Sequence, residues 1–551
     1  MENSILNLNR FHNKVHSFIV FLLTFFWGIP TGEAQLQYAT TVLSESHVTS
    51  SSNSIDANPA TYSELEAGTG IIIGIGSYSS HIELQFPAPV PANQTCFVRI
   101  ETQDNLLSSL MGGTLGNLLS SVVGIALTGN QEFSVDVKNG SNVVLSGSST
   151  NPVSFAGERL KVVIDANNHQ YLAITPNQQY QSIRITNLTG SLVGLGAKKH
   201  MKVWDPYYVI QGSSCAMPKF TSYDAAGITL ELLNLGGGVH NLERVIDANL
   251  ASHSTLSLGV VSVASSITQR VYFEGLSQPT DVFAVRLGID PALLAITLGQ
   301  GIRIRTQNGA NVVTNSTLQS LLTPADILAL QNNQPVTVYI TPNLPVDRVV
   351  AELNGLLGVT VSQSLDLFEV YKITQPPTLG INSTNVSICE GTAATLSADA
   401  INPTDEIRWY TTMNATTPIG ITASGAPFTT GILHSDTTFF IASAIPGCPN
   451  ESLRIPVSVD VIPGPDPSGI IVPVLPEYCA ADSVTLGANS TLGTSFQWYL
   501  TSTSTTPIVS GQQQGNHTYT IHNDSLPFPI IRYHSLPLAT IHYHLLPFDT
   551  I

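Results

Sequence analysis

Charge is what this chain has least of. Asp, Glu, Lys and Arg make up 11% of its 551 residues, with 21 basic against 38 acidic side chains and a formal net charge of −17. Basic residues this sparse exclude a nucleic-acid partner, because a phosphate backbone is held by clustered Lys and Arg. The acidic residues form no dense run, so the net charge favours solubility and makes no polyanionic tail. Catalytic signatures are missing as well. There is no Gly-x-Ser-x-Gly elbow, no His-Glu-x-x-His helix, no Gly-x-x-x-x-Gly-Lys phosphate loop and no Cys-x-x-Cys pair. The chemistries that such motifs carry are therefore absent in their motif-borne form. Two Gly-rich stretches, Gly70–Gly76 and Gly236–Gly238, sit in no strand–turn–helix pattern. A site assembled from distant loops would leave no such signature.

Long hydrophobic runs are scarce. The apolar stretch from Phe18 to Pro30 falls short of a membrane span, which takes about 20 residues. Arg10 and Lys14 precede it, and the small residues Gly32 and Ala34 follow. A basic start, a short apolar core and a small-residue exit describe a secretory signal peptide over residues 1–34, with cleavage after Ala34. A second uncharged stretch, Leu106–Leu127, is interrupted by four Gly and four Ser. It is expected to be a buried strand or helix segment, so no transmembrane span is expected.

Cysteine is sparse: Cys96, Cys215, Cys389, Cys448 and Cys479. Five is an odd number, so at least one has no partner within the chain. A few cysteines in an exported chain suit an oxidising compartment. Cys96 and Cys215 both lie in the first long module and are free to pair with each other.

What the chain has in quantity is Ser, Thr, Asn, Gly and β-branched residues, with 43% apolar content overall. That composition favours extended β-rich modules. It is also internally repeated. Ser54-Ile55-Asp56-Ala57-Asn58 recurs as Val245-Ile246-Asp247-Ala248-Asn249, and Val135–Val144 recurs as Ile304–Val313. Both copies of the second pair hold Asn-Gly between alternating apolar residues, which marks a hairpin. Gln181–Val209 answers Asp347–Tyr371, each closing on an aromatic strand. Similarities in one order describe a tandem duplication. The modules are expected over residues 35–215 and 220–374, each an all-β, jelly-roll-like β-sandwich. One helix is expected after Thr323, with Thr323 as N-cap and Pro324 in the first turn.

Beyond the Thr374–Thr378 linker the pattern changes. Ser387-Ile388-Cys389-Glu390-Gly391 opens a segment that continues through Ile407-Arg408-Trp409-Tyr410 and Thr437–Ala442 to Cys448. An early Cys, a Trp-Tyr strand about 20 residues on and a second Cys after an aromatic strand resemble immunoglobulin-like domains. The version is similar to those repeated in large secreted surface proteins of Bacteroidetes-type bacteria. The resemblance implies an immunoglobulin-like sandwich over residues 379–462, with a Cys389–Cys448 bridge and Trp409 packed beside it. A second copy starts at Tyr478-Cys479 and carries Phe496-Gln497-Trp498-Tyr499, which makes Trp498 its core residue. That copy, residues 475–521, lacks its second cysteine and second half. Residues 522–551 form a low-complexity tail with a ten-residue repeat, so the C-terminus reads as a truncation or frame shift. The resembled proteins usually continue into further repeats and an anchoring domain.

The candidate ligand site is the duplicated Asp-x-Asn element. Asp56 with Asn58, and Asp247 with Asn249, offer oxygen side chains two residues apart, followed by Thr61 or Ser252. Such oxygens suit calcium, as in discoidin-like and carbohydrate-binding jelly rolls; they equally cap their own backbone amides in a turn. No other cofactor is implied. Of four Trp, Trp204 in Val203-Trp204-Asp205-Pro206 is the one placed to form a loop-borne aromatic face, and core packing is its other reading. Three functions stay open: a non-catalytic cell-surface structural or adhesion protein, a glycan-binding module set, and a secreted hydrolase. The partner expected is an extracellular protein or glycan, with association to the cell envelope.

Overall fold

The computed structural model describes residues 34–69, 77–104, 106–112, 131–189, 198–211, 215, 217–227, 237–259, 265–291, 294, 301–355 and 363–463, residue 506, and short strands between 485 and 533. Residues 1–33 of the signal peptide expected over 1–34, and most of 106–127, lie outside the described residues; within the latter, Leu106–Met111 is a helix. No described helix is long and apolar enough to cross a membrane. The described residues fall into two compact units, one within Met1–Gln375 together with Ala444–Ser452, the other within Pro376–Ser443 and Leu453–Ile551.

The first unit holds the duplication as two sandwiches of identical strand order. In the first module, one sheet runs Thr41–Ser46, Ser80–Val90, Tyr180–Thr189, Gln131–Asn139, Asn142–Ser148. Its counterpart in the second runs Pro218–Ala226, Ser266–Phe273, Arg348–Asn354, Ile302–Asn308, Asn311–Thr317. The facing sheets run Val48–Thr49, Ser63–Gly68, Lys198–Val203, Cys96–Thr102, Gln170–Ile174 and, equivalently, Gly238–His240, Ser254–Ser257, Ser364–Ile373, Val282–Gly288, Val336–Ile340. Alternation explains the layering. Phe133, Val135 and Val137 point inward from one strand and meet Leu65, Val98, Ile100 and Met201 from the opposite sheet. Burying each such side chain contributes roughly 1.5–3 kcal/mol. Ile302, Ile304 and Val349 meet Phe283, Val285 and Leu365 in the second core.

Both Asn-Gly pairs turn hairpins, pairing Asn139 with Asn142 and Asn308 with Asn311. Gly140 and Gly309 supply the positive φ, 61° and 58°, and each hairpin carries a register shift at the equivalent step, Val137/Lys138 and Thr306/Gln307. The helix Pro324–Gln331 starts on a capping box: the Thr323 side chain accepts from the Asp326 amide, and the Asp326 carboxylate accepts from the Thr323 amide.

One of the differences between the modules is also what joins them. Where the second module has helices, the first has the strand Leu160–Ile164. That strand pairs along Gln170–Ile174 and reaches Pro218–Ala226 at Ile164–Thr221. One sheet of each module thereby becomes part of a single thirteen-stranded sheet among the described residues, its last two strands being Gln35–Tyr38 and Tyr207–Gln211, the latter paired to Cys96–Thr102. An exposed strand edge invites aberrant pairing, and this connection covers two of them.

The second unit contains an immunoglobulin-like sandwich. Its larger sheet runs Val386–Cys389, Ile455–Ile462, Thr437–Ala444, Glu406–Tyr410, Gly420–Ala423, and the pairs Thr392–Leu396 with Phe428–Leu433 and Thr378–Leu379 with Ala398–Asp399 make up the rest. Trp409 is fully buried among Leu396, Ile407, Ile441 and Val457. Beyond it, Ser495–Tyr499 lies between Val509–Gln512 and Ile530–Tyr533. This repeats the order of Gly420–Ala423, Glu406–Tyr410 and Thr437–Ala444. A strand from the low-complexity segment therefore occupies the third position, beyond residue 521. The side chain of Trp498 lies outside the described residues.

The cysteine pairing differs from expectation. Cys448 is bonded to Cys215, with Cα atoms 5.1 Å apart, and not to Cys389. The strand Val386–Cys389 is an edge strand running parallel to Ile455–Ile462, with Cys389 opposite Ile462. Cys448 lies in the loop that enters that partner strand at Ile455, seven residues away (462 − 455), or about 23 Å at the usual rise per strand residue. A disulfide spans Cα atoms less than about 7 Å apart, so the pairing implied by the resemblance is geometrically closed. Beside Trp409 stands Phe428, stacked at 4.5 Å with 10° between the rings, and Trp409 Nε1 donates to Thr422 Oγ1 at 3.1 Å. Cys96 is not bonded to Cys215 either. It is fully buried, and desolvation pushes its thiol well above the ordinary range.

Candidate functional site

Each copy of the Asp-x-Asn element follows a short 3-10 turn, Ser51–Ser54 or Leu242–Ile246, entered through a left-handed residue, Ser50 or Asn241. The central alanines Ala57 and Ala248 are also left-handed, with φ of 57° and 58°. Two linked turns hold that conformation. Asp56 Oδ1 accepts from the Asn58 amide at 3.0 Å, and Asn58 Oδ1 accepts from the Ala60 amide at 3.1 Å. Asp247 and Asn249 do the same for the amides of Asn249 and Ala251, at 3.0 and 3.1 Å. The next hydroxyl closes the loop: Thr61 Oγ1 donates to Asp56 Oδ2 at 2.9 Å, and Ser252 Oγ to Asp247 Oδ2 at 2.7 Å. These are Asx turns that engage both carboxylate oxygens of each Asp. Among the described residues no group of three or more His, Cys, Asp or Glu is arranged to hold a metal ion. In each loop these side-chain oxygens are engaged in the turns, whereas calcium would take six to eight oxygens.

Below each loop lies a carboxylate that periodicity alone did not single out. Asp205 is 5% exposed, and its Oδ1 accepts from the Ala57 amide at 3.0 Å. Burial pushes its carboxyl up to about 6; the Ala57 amide opposes the rise and the nearby Asp56 carboxylate adds to it. Glu369 is the equivalent residue, also buried, and burial with the Asp247 carboxylate raises it against the pull of Arg286. The signal available in sequence was the alignment of Trp204-Asp205 with Phe368-Glu369 on the closing strands.

An aromatic–cation stack flanks each acid. The Arg99 guanidinium lies 4.2 Å over Trp204, whose ring is 5.1 Å from Tyr62; Arg286 lies 5.7 Å from Phe368, whose ring is 5.0 Å from His253. Trp204 is 6% exposed, so Arg99 and Tyr62 cover it and no open platform results. The outer charges differ between copies. Lys202 stands over Tyr62 and pairs with Glu101 at 2.7 Å, whereas its counterpart Asp366 accepts from Thr255 at 2.7 Å and faces His253 at 3.9 Å. The frame is shared, and the faces it presents are chemically distinct.

The junction of the two modules is the other concentration of polar groups. Phe97, Val163 and Ala173 pack against Phe220 and Tyr272. Around them Arg270 binds Glu158 bidentately and Asp224 at 2.8 Å, Lys161 bonds Asp224, and Arg348 bonds Asp347 and Thr95. Desolvation alone would raise Glu158, yet Arg270 holds it below the usual carboxylate range; burial and Arg270 push Lys161 down to about 8 despite Asp224. Three cations balance three carboxylates. A narrow cleft lined by Asn93, Gln94, Thr95, Tyr272, Leu276 and Asp347 opens here. The Asp347 oxygens in it are already engaged by Gly309, Thr95 and Arg348, so this is a structural seam.

Comparison with known proteins bears on the second unit. Residues 376–463 match the family model described as "Ig-like domain CHU_C associated". No curated protein matches the chain. Among solved structures, the human OSCAR ligand-binding domain is 16% identical, with 31% of this chain and 96% of that one covered at a TM-score of 0.16. Fibronectin(III)-like modules of CbhA from Clostridium thermocellum are 11% identical over 36% and 85%, at 0.14. The adhesin domain of Epf from Streptococcus pyogenes is 10% identical over 39% and 78%, at 0.15. TM-scores this low carry no argument about function or descent.

Proposed function

We propose, taking the immunoglobulin-like domain at residues 376–463 as the premise, that this chain is an exported, non-catalytic cell-surface protein. In this reading the duplicated sandwiches present the binding faces and the immunoglobulin-like domains space them from the cell. The observation that carries it is the match at 376–463 to an immunoglobulin-like domain family, which follows in sequence a pair of sandwiches joined through one sheet. The ligand-facing surfaces proposed are the loop ends bearing Tyr62 and Lys202 in one module, with Trp204 buried beneath them, and His253, Asp366 and Phe368 in the other. Because these faces differ in charge, the two modules are expected to prefer different ligands.

Two measurements test the proposal. Protein shaving of intact cells, with N-terminal sequencing of the released chain, is expected to find a surface protein beginning at Gln35. Retention inside the cell with Met1 intact would overturn the export reading. A glycan array probed with and without chelator separates an adhesion role towards proteins from a glycan-binding one. Signal that survives chelation supports glycan recognition without calcium. Signal abolished by chelation restores calcium at Asp56, Asn58, Asp247 and Asn249, and no signal in either condition removes the glycan reading.

A further inference from the structure

The covalent connectivity of the chain has a mechanical consequence. Cys215 and Cys448 are joined across 233 residues of sequence. Between them lie the whole second sandwich, Pro218–Ile373, and every strand of the immunoglobulin-like domain from Val386 to Ala444. The loop that carries Cys448, Ala444–Ser452, belongs to the first compact unit, where Asn450 Nδ2 also donates to the Lys372 carbonyl at 3.3 Å. Cys448 itself is buried.

We infer that the Cys215–Cys448 bond is a force shunt. Tension applied between the two ends of the chain passes from residue 215 through the sulfurs to residue 448, and the 232 residues between (447 − 215) bear none of it. This rests on connectivity alone, independently of the function proposed above. Under load the first sandwich is exposed to unfolding and the second is shielded. Of the described strands of the immunoglobulin-like domain at 376–463, Ile455–Ile462 is the one left on the loaded path, where it pairs with Thr437–Ile441 and, in parallel, with Val386–Cys389. A surface protein under shear would thus keep one of its two sandwiches folded while the other yields. Reduction of the bond would put both in series.

The test is single-molecule stretching of the full chain held by handles at its two termini. Without reductant, the fully extended length is expected to fall short of that measured with reductant by about 800 Å, the span of 233 residues at 3.3–3.6 Å each. Adding reductant to the same stretched molecule should release that length in one step. Equal lengths with and without reductant would overturn the proposal. So would a hidden length of about 200 Å, the value for a Cys389–Cys448 bond enclosing 59 residues (448 − 389). The comparison uses the unaltered chain, so no variant has to fold; Cys215→Ser, where it folds, should show the full length without reductant.

Discussion

At the scale of single residues, the duplicated loop is explained by oxygen atoms bonding to nearby backbone amides. Replacing Asp56 or Asp247 with Ala removes the acceptor for one amide and one hydroxyl, and each change should cost about 1 kcal/mol, the usual worth of a local cap. Asp→Asn keeps an amide acceptor and should cost less. Denaturant titration with and without chelator checks both: a turn role predicts no chelator effect on wild type. Asp205 makes a second, pH-dependent prediction. Its carboxyl is raised from 3.8 to about 6 in the folded chain, so the folded state holds the proton more tightly than the unfolded one. Stability from this group is therefore full below about pH 4 and is lost as pH rises through about 6. Asp205→Asn should flatten the melting temperature between pH 4 and 7 relative to wild type; an unchanged slope would assign that dependence to other groups.

At the scale of elements, the two Asn-Gly hairpins are built alike but sit in different surroundings. A Cβ at Gly140 would meet nothing within 4 Å. At Gly309 it would meet the Asn93 carbonyl oxygen and Thr175 Cγ2, both at 3.1 Å, across the seam between modules. Gly140→Ala should cost only the left-handed backbone term, about 1–2 kcal/mol, whereas Gly309→Ala should cost measurably more. Equal losses in a denaturant titration of the two variants would show that the seam gives way freely. The hairpins themselves, and the Thr323 capping box, were legible in sequence because each depends on residues within a few positions of one another. The role of the strand Leu160–Ile164 as the connection between modules was not legible, because its partner Thr221 is 57 residues away (221 − 164).

At the scale of the whole molecule, the disulfide is the feature that most changes the reading. A protease site placed in the Thr374–Thr378 linker tests it directly. After cleavage, the two fragments should run as one species on a denaturing gel without reductant and separate with it. A Cys389–Cys448 bond would lie wholly within the second fragment, and the pieces would separate in both conditions.

The sequence by itself determined what is local or periodic. Alternation set the strands, Asn-Gly set the turns, and repeated order identified two modules of one design and the Trp-Tyr strand of the immunoglobulin-like domain. Tertiary structure alone decided which distant groups meet. It placed Asp205 and Glu369 beneath the Asx loops, Phe428 on Trp409, three cations against three carboxylates at the seam, and Cys448 on Cys215. The physical reason is common to all of these. A turn is selected by the conformational preferences of its own few residues, whereas a contact across a sheet or between modules depends on register and packing, which no single stretch of sequence contains.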